Sequence, residues 1–249
     1  MNQAFHMLII DPQNDFCDVP AARLAPGQTP ALPVTGAHAD MLRIAGLIER
    51  AQGGISGISV TLDTHHRLDV AHPTFWTDAR EGEVAPFSQI TATDVRAGRY
   101  APRAPAARER VLTYLDTLEA AGRYTLMVWP VHCEIGSWGQ LVHADVQAAL
   151  NQWESSGHGV VNKVVKGTNP WTEHYSAIEA EVPDVDDDST WRNAGLIALL
   201  ASADRVYICG EAGSHCVRAT TEHLVDNLDA QQIAKLVLLT DCMSPVGGF

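Results

Sequence analysis

Short apolar segments alternate with amphipathic segments of helical length along the whole chain. Six apolar runs predict strands, at Phe5–Ile10, Ile55–Leu62, Tyr124–Trp129, Val160–Val165, Arg205–Cys209 and Leu236–Thr240. Five amphipathic stretches between these runs predict helices, at Ala37–Gln52, Ala106–Ala121, Val142–Trp153, Thr190–Ala201 and Cys216–Leu228. This alternation predicts βαβ units around a parallel sheet that helices cover on both faces.

Two segments do not fit the alternation. Residues 18–35 are rich in Pro and Ala, and residues 67–105 contain many Pro, Gly and Thr. We interpret both as long loop insertions in one domain that spans residues 1–249. Long loops in compact α/β domains are often lids or walls of a binding site.

Charge and cysteine content narrow the range of partners. The chain has 17 Lys and Arg against 30 Asp and Glu, a formal net charge of −13, which disfavours nucleic acid and anionic membranes as partners. No apolar run reaches the length of a membrane span, and residues 1–8 lack the pattern of a signal peptide. The five scattered cysteines indicate reduced thiols and therefore a cytoplasmic protein.

Chemically useful residues follow five successive predicted strands. In open parallel sheets, sites form at the carboxyl ends of the strands. Each of these residues alone has an ordinary explanation, as a turn residue, a solvated side chain or a small buried thiol. Their joint occurrence favours a site built from Asp11, Asp63, His65, His132, Lys166 and Cys216.

Cys216 has the sequence context of a nucleophile. It follows a loop, Gly210 to His215, and begins a predicted helix, where the helix N-terminus lowers a thiol pKa. Lys166 would stabilise the thiolate further, and Asp11 could accept the thiol proton and return it to a leaving amine. The backbone N–H groups of Ala212 and Cys216 could form an oxyanion hole.

A second group of residues has the composition of a metal site. Asp63 and His65 form an Asp-x-His pair, and His132 follows the next strand. Two imidazoles and a carboxylate bind divalent transition metals and leave positions open for water or substrate. His72 and His66 are additional candidates.

The ordered motifs resemble the isochorismatase-like cysteine hydrolases and, among these, the nicotinamidases. The motifs are IIDPQNDF, TLDTHH, WPVHC, VVKGTNPWTEHYSAI and CGEAGSHCVRAT, which run along almost the whole chain. The resemblance implies a three-layer, doubly wound fold with a six-stranded parallel sheet flanked by helices. It also implies a catalytic triad of Asp11, Lys166 and Cys216, with metal ligands Asp63, His65 and His132. A cis peptide is implied between Glu211 and Ala212.

The resemblance extends to aromatic residues of the substrate pocket. Phe16 and Trp129 match the residues that sandwich the pyridine ring in nicotinamidases, and Tyr175 matches an aromatic that follows the family's lysine. The chain also departs from the pattern. Cys17 to Pro20 replaces a Gly-rich turn, and His72 is displaced by a few residues from the usual second histidine.

These observations predict a metal-assisted cysteine amidohydrolase that releases ammonia from a small heteroaromatic amide through a thioester. The expected metal is zinc, with iron or manganese as alternatives, and the resemblance implies a homodimer or larger homo-oligomer. One alternative is a metal-free amidohydrolase of the same superfamily that acts on a ureido or carbamoyl compound. Another is a non-catalytic ligand-binding protein that kept the scaffold. Isochorismatase itself is disfavoured, since that reaction does not need the cysteine.

Overall fold

A computed structural model describes residues 3–248 of the chain. Its strands are β1 (Phe5–Ile10), β2 (Gly57–Asp63), β3 (Trp76–Asp78), β4 (Ser88–Ile90), β5 (Tyr100–Pro102), β6 (Leu126–Val128), β7 (Asn162–Lys166), β8 (Arg205–Gly210) and β9 (Leu236–Leu238). Its helices are α1 (Ala37–Ala51), α2 (Ala92–Arg96), α3 (Arg108–Ala121), α4 (Ala144–Ser155), α5 (Ala194–Ser202), α6 (Cys216–Asn227) and α7 (Ala230–Ile233). No helix in this described part is long and apolar enough to cross a bilayer.

The central sheet has five parallel strands in the order β7-β2-β1-β8-β9. Alternate side chains of β1 point to opposite faces, so Met7 and Ile9 join one apolar cluster and Leu8 and Ile10 join the other. Helices α1 and α4 cover the first face, and α5 and α6 cover the second. The predicted three-layer α/β architecture is therefore confirmed.

The prediction of a sixth strand in this sheet is wrong for the described residues. The segment Tyr124–Trp129 contains β6, which pairs antiparallel with β4 in a separate two-stranded sheet. Strand β4 lies in the insertion that the sequence pattern indicated as irregular, and it supplies the backbone partner that β6 needs. Apolar character predicts a buried strand, but it does not specify which strand is its neighbour.

The insertion at residues 67–105 is more ordered than its composition predicts. It contains β3, β4, β5 and α2, and Trp76 and Ile90 within it are fully buried. These side chains join α3 and β6 in a third apolar cluster, which includes Val111 and Leu115. Residues 18–35, in contrast, form only a short 3-10 helix, at Ala21–Arg23.

The order of the strands fixes where a site can form. The chain runs outward from β1 through β2 to β7, and then returns to the other side of β1 with β8 and β9. The order therefore reverses between β1 and β8, and the crevice beyond the carboxyl ends of the strands at such a point is the usual binding site. Asp11 follows β1, and Cys216 follows β8 through one loop.

Candidate active site

The register of the sheet brings the predicted catalytic residues together. Asp63 pairs with Lys166 across β2 and β7, and Ile10 pairs with Gly210 across β1 and β8. Gly210 has a φ of 109°, and a Cβ there would lie 2.0 Å from the carbonyl oxygen of Ile10. A glycine is therefore required for the chain to leave β8 at this close approach and enter the loop toward Cys216.

Lys166 is the centre of the site. Its Nζ lies 3.0 Å from Oδ2 of Asp11, 2.9 Å from Oδ1 of Asp63 and 3.7 Å from Sγ of Cys216. It also donates a hydrogen bond of 3.0 Å to the carbonyl oxygen of His174. Lys166 is only 3% exposed, so these contacts replace the water that an ammonium group needs.

Asp11 is fixed by the neighbouring strand. Thr61 on β2 donates a hydrogen bond of 2.5 Å from its hydroxyl to Oδ1 of Asp11 and accepts one of 2.9 Å from the Asp11 N–H. The backbone of Asp11 has a φ of 42°, which turns the chain sharply at the end of β1. Oδ2 of Asp11 faces the ammonium group of Lys166 at 3.0 Å.

Burial and charge set the proton affinities of these groups. Burial would lower the pKa of Lys166, but Asp11 and Asp63 outweigh it and raise that pKa well above its usual value. Burial raises the pKa of Asp11, which Lys166 opposes. Burial also raises the pKa of the Cys216 thiol well above its usual value, again against Lys166. The sequence-based expectation of a lowered thiol pKa is therefore not met in the structure.

Three imidazoles and one carboxylate converge beside this group. Nε2 of His65 lies 3.0 Å from Oδ2 of Asp63, and Nε2 of His132 lies 3.3 Å from the same oxygen. His72 joins them, with its Nε2 3.2 Å from Nδ1 of His132. One ligand atom from each histidine lies within 4.8 Å of the others, and all three residues are buried.

The surroundings of these histidines fit a metal ion. Nδ1 of His65 lies 3.1 Å from Oδ2 of Asp69, and Nδ1 of His132 lies 2.8 Å from the carbonyl oxygen of Pro130. Such contacts orient metal-bound imidazoles in proteins. Burial lowers the pKa of His72 to about 2, which keeps that imidazole neutral and able to act as a ligand. Nδ1 of His72 has no hydrogen-bond partner among the described residues.

A small cavity of about 30 Å³ lies against Cys216. The three aromatic residues predicted for substrate binding line it, namely Phe16, Trp129 and Tyr175. Asp63, His132 and Ala212 also line it, as does Leu32 from the insertion at residues 18–35. Nε1 of Trp129 donates a hydrogen bond of 3.0 Å to the hydroxyl oxygen of Tyr175, which fixes the angle between these two walls. The peptide between Glu211 and Ala212 is cis, as the resemblance implied.

Several residues that hold the site were not predicted from the sequence. The side-chain amide of Gln13 donates to the carbonyl oxygen of Asp63 at 2.7 Å and accepts from its N–H at 2.7 Å. Asp15 accepts from the N–H of Cys133 at 2.7 Å. Both residues lie in the IIDPQNDF motif, whose density of polar residues after a buried strand was the available indication. Thr61 could have been found two positions before Asp63 by strand alternation.

The remaining cysteines have no comparable surroundings. All five cysteines of the chain are free and buried. Burial raises the pKa of Cys17 and of Cys133 above the usual thiol value, and nearby carboxylates raise it further. Among the five, Cys216 is the one that lies beside Lys166 at the cavity.

No family model matches the chain, and no curated protein matches it. Solved structures do match. The yeast nicotinamidase Pnc1p has 20% identity and a TM-score of 0.62, over 98% of this chain and 89% of that one. PnC1 from L. infantum in complex with nicotinate has 22% identity and a TM-score of 0.57, over 100% and 84%. The pyrazinamidase of Pyrococcus horikoshii in complex with zinc has 20% identity and a TM-score of 0.51, over 98% and 88%. The chain therefore has the isochorismatase-like fold of these nicotinamidases and pyrazinamidases.

Proposed function

We propose that this protein is a nicotinamidase-like cysteine amidohydrolase. One observation carries the proposal: Nζ of Lys166 lies 3.0 Å from Oδ2 of Asp11 and 3.7 Å from Sγ of Cys216, at a cavity lined by aromatic residues. A buried nucleophile, a carboxylate base and a cation between them are the components of covalent acyl transfer. The likeness in fold to amide-hydrolysing enzymes supports the same class of reaction.

The proton affinities support a mechanism that starts from a thiol. Burial raises the pKa of both Asp11 and Cys216, so the carboxylate is a stronger base than in water and the resting nucleophile is protonated. When an amide enters, Asp11 removes the thiol proton and the thiolate attacks the carbonyl carbon. The N–H groups of Ala212 and Cys216 receive the oxyanion.

Collapse of this intermediate completes the first half of the reaction. Asp11 returns its proton to the nitrogen, the carbon–nitrogen bond breaks, and ammonia leaves a thioester on Cys216. Asp11 then takes a proton from a water molecule, and the hydroxide attacks the thioester. The carbon–sulfur bond breaks, the acid is released, and the thiol regains its proton from Asp11.

The same geometry supports a divalent metal ion held by Asp63, His65 and His132, with His72 beside them. A zinc ion, or alternatively iron or manganese, would supply Lewis-acid polarisation of a ligand atom when bound. The cluster borders the cavity through Asp63 and His132, so a flat heteroaromatic ring could place a nitrogen there. Phe16 and Trp129 would then hold the faces of the ring.

Ammonia release from nicotinamide, pyrazinamide and a panel of small amides tests this function. We expect turnover of at least one heteroaromatic amide, loss of turnover in Cys216→Ala, and retention in the control Cys242→Ala. Full turnover in Cys216→Ala would refute the mechanism. Turnover of ureido or carbamoyl compounds alone, by protein without bound metal, would instead support the metal-free alternative.

The metal is best tested at His72. Asp63 contacts Lys166 as well as the histidines, so Asp63→Ala would disturb the nucleophile whether or not a metal is used. The imidazole of His72 contacts His132, and it has no hydrogen bond with Lys166 or Cys216 among the described residues. We expect His72→Ala to lower the metal content of the purified protein and to leave Lys166 and Cys216 in place. A cytoplasmic location and a homo-oligomeric state remain predictions from the sequence.

A further inference from the structure

A second buried polar cluster lies behind the loop that carries Ala212. Its members are Glu211, which is fully buried, Asp40 on α1, which is 1% exposed, and Ser244 near the end of the described chain. None of the three lines the cavity at Cys216. Glu211 directly precedes Ala212 in the chain, so the contacts of its side chain affect the position of the proposed oxyanion hole.

Ser244 joins the two acidic residues. Its N–H donates a hydrogen bond of 3.2 Å to Oε2 of Glu211, and its hydroxyl donates one of 2.6 Å to Oδ2 of Asp40. Oε1 of Glu211 accepts no hydrogen bond among the described residues. Ser244 therefore bridges the carboxyl groups of Glu211 and Asp40, and the proximity of Asp40 contributes to the raised pKa of Glu211. Two ionised carboxylates in this buried position would repel each other.

The nearby positive charge, on Arg43, pairs with Asp40 and not with Glu211. The guanidinium of Arg43 contacts Oδ1 of Asp40, and no Lys, Arg or His in the described chain forms an ion pair with Glu211. Burial, followed by the charge of Asp40, raises the pKa of Glu211 to about 10. A protonated carboxyl group at Glu211 and an ionised one at Asp40 therefore avoid repulsion between the two side chains. The titratable or charged groups that face Glu211 or its immediate partners include Cys17, Asp18, Asp40, Arg43, Cys209 and Cys242.

The cluster is tied to the loop by the backbone. The N–H of Glu211 donates a hydrogen bond of 2.8 Å to the carbonyl oxygen of Ile10, and the N–H of Gly213 donates one of 2.8 Å to the carbonyl oxygen of Ser244. The N–H of Val246 donates one of 3.0 Å to the hydroxyl of Ser214. Val246 itself lines the cavity. The segment at Ser244–Val246 is therefore bonded to the loop at Gly213 and Ser214.

We infer that Glu211 is a positioning residue: its neutral carboxyl donates a hydrogen bond to the Asp40 carboxylate and thereby holds the loop that carries Ala212 and Cys216. The consequence for turnover rests on the proposed function, whereas the shared proton does not. A glutamine at this position would keep a donor toward Asp40 and an acceptor toward Ser244. A leucine of similar size would keep neither.

The shared proton predicts a specific dependence of stability on pH. The folded protein keeps a proton on Glu211 that the unfolded chain loses once the pH exceeds the ordinary pKa of 4.5. Stability from this group is thus fully present below that pH and is lost as pH rises toward about 10. At pH 7, unfolding of the wild type should release about one proton more than unfolding of Glu211→Gln.

Thermal unfolding between pH 5 and pH 9 tests the shared proton, with Glu49→Gln on the exposed face of α1 as the control. We expect the Tm of the wild type and of Glu49→Gln to fall with rising pH relative to the Tm of Glu211→Gln. Parallel curves for all three proteins would overturn the inference. This measurement needs no substrate, so it is decided even if no amide is hydrolysed.

A second measurement tests the positioning of the loop. We expect Glu211→Leu to lower kcat by roughly ten- to a hundredfold with a smaller change in KM, and Glu211→Gln to restore most of it. The rate at which iodoacetamide alkylates Cys216, followed by mass spectrometry, should separate the same two variants without a substrate. Equal alkylation rates and equal kcat in Glu211→Leu and Glu211→Gln would show that Glu211 does not position the loop.

Discussion

Replacement of Lys166 by methionine removes one ammonium group and keeps the length of the side chain. The group is 3% exposed and lies 3.0 Å from Asp11 and 2.9 Å from Asp63. Removal of one partner from a buried ion pair costs about 3–5 kcal/mol, because the other charge is left without compensation. Proton uptake by Asp11 relieves part of this cost, so we expect a loss of about 3 kcal/mol. For a chain of this length, that loss lowers Tm by about 6–12 °C.

The matched control is Lys163→Met on the same strand. Lys163 is exposed, and its Nζ lies 3.5 Å from the side-chain oxygen of Gln147. Calorimetry at pH 8 should show a Tm within about 1 °C of the wild type for this control. A Tm of Lys166→Met equal to that of Lys163→Met would refute the assigned role of the ammonium group.

The pH dependence of this effect has a defined sign. Lys166 lowers the pKa of Asp11 and of Asp63 in the folded protein, so its removal raises both. A carboxyl whose folded pKa is raised contributes stability at low pH and loses it as pH rises. The difference in Tm between wild type and Lys166→Met should therefore shrink as the pH falls from 8 toward 5. A difference that grows on acidification would contradict the reasoning.

Three further predictions concern the neighbours of the site. Thr61→Val removes both hydrogen bonds to Asp11 and should lower the free energy of unfolding by about 2–4 kcal/mol. Because Thr61 lowers the pKa of Asp11, the same substitution should shift the acid limb of the kcat/KM profile to higher pH. Asp69→Asn weakens the acceptor for Nδ1 of His65 and should lower zinc affinity by roughly 10- to 100-fold in a competition titration with a chelator. Alkylation of Cys216 should be slow at pH 7 and accelerate with rising pH, since burial raises the thiol pKa; a rate that is flat between pH 6 and pH 9 would count against a resting thiol.

The parallel sheet could be predicted because its strands carry a simple sequence property. Strand β1 is predicted with the bounds it has in the structure, Phe5–Ile10, since all but its first residue are buried and the apolar run is nearly continuous. The rule that sites form at the carboxyl ends of parallel strands then placed Asp11, Lys166 and Cys216 near one another without knowledge of the strand order. The rule does not predict which residues pair directly. The register between β2 and β7 shows that Asp63 pairs with Lys166.

The pairing of β6 could not be predicted in this way, and His72 could be named only as an additional candidate ligand. Strands β4 and β6 each have three residues, too few for a reliable period, and they pair across an insertion. His72 lies seven positions after His65 in a loop, and its approach to His132 depends on how that insertion folds. Sequence spacing indicates which ligands lie together at the end of one strand. It does not indicate which ligands a long loop places beside them.

The pKa of Cys216 was expected to be lowered but is raised in the structure. The surroundings of the thiol therefore outweigh the local sequence rule. A helix start and a nearby lysine both favour a thiolate. In the folded chain Cys216 is buried, and Asp11 and Asp63 neutralise much of the effect of Lys166 on the sulfur. The rule applies to a thiol with solvent access and a cation that is not already paired. Neither condition is visible in the sequence around position 216.

This difference also changes the role that Asp11 has in the proposed mechanism. With a lowered thiol pKa, Cys216 would be ready to attack before an amide arrives, and Asp11 would act mainly in proton return. With both pKa values raised, the proton must move within the pair, and the efficiency of that transfer depends on how closely the two proton affinities match. Thr61 and Lys166 both lower the pKa of Asp11, while burial raises it. In the proposed mechanism, the residues that hold Asp11 would therefore determine how readily Cys216 becomes a nucleophile, although Thr61 has no contact with the sulfur.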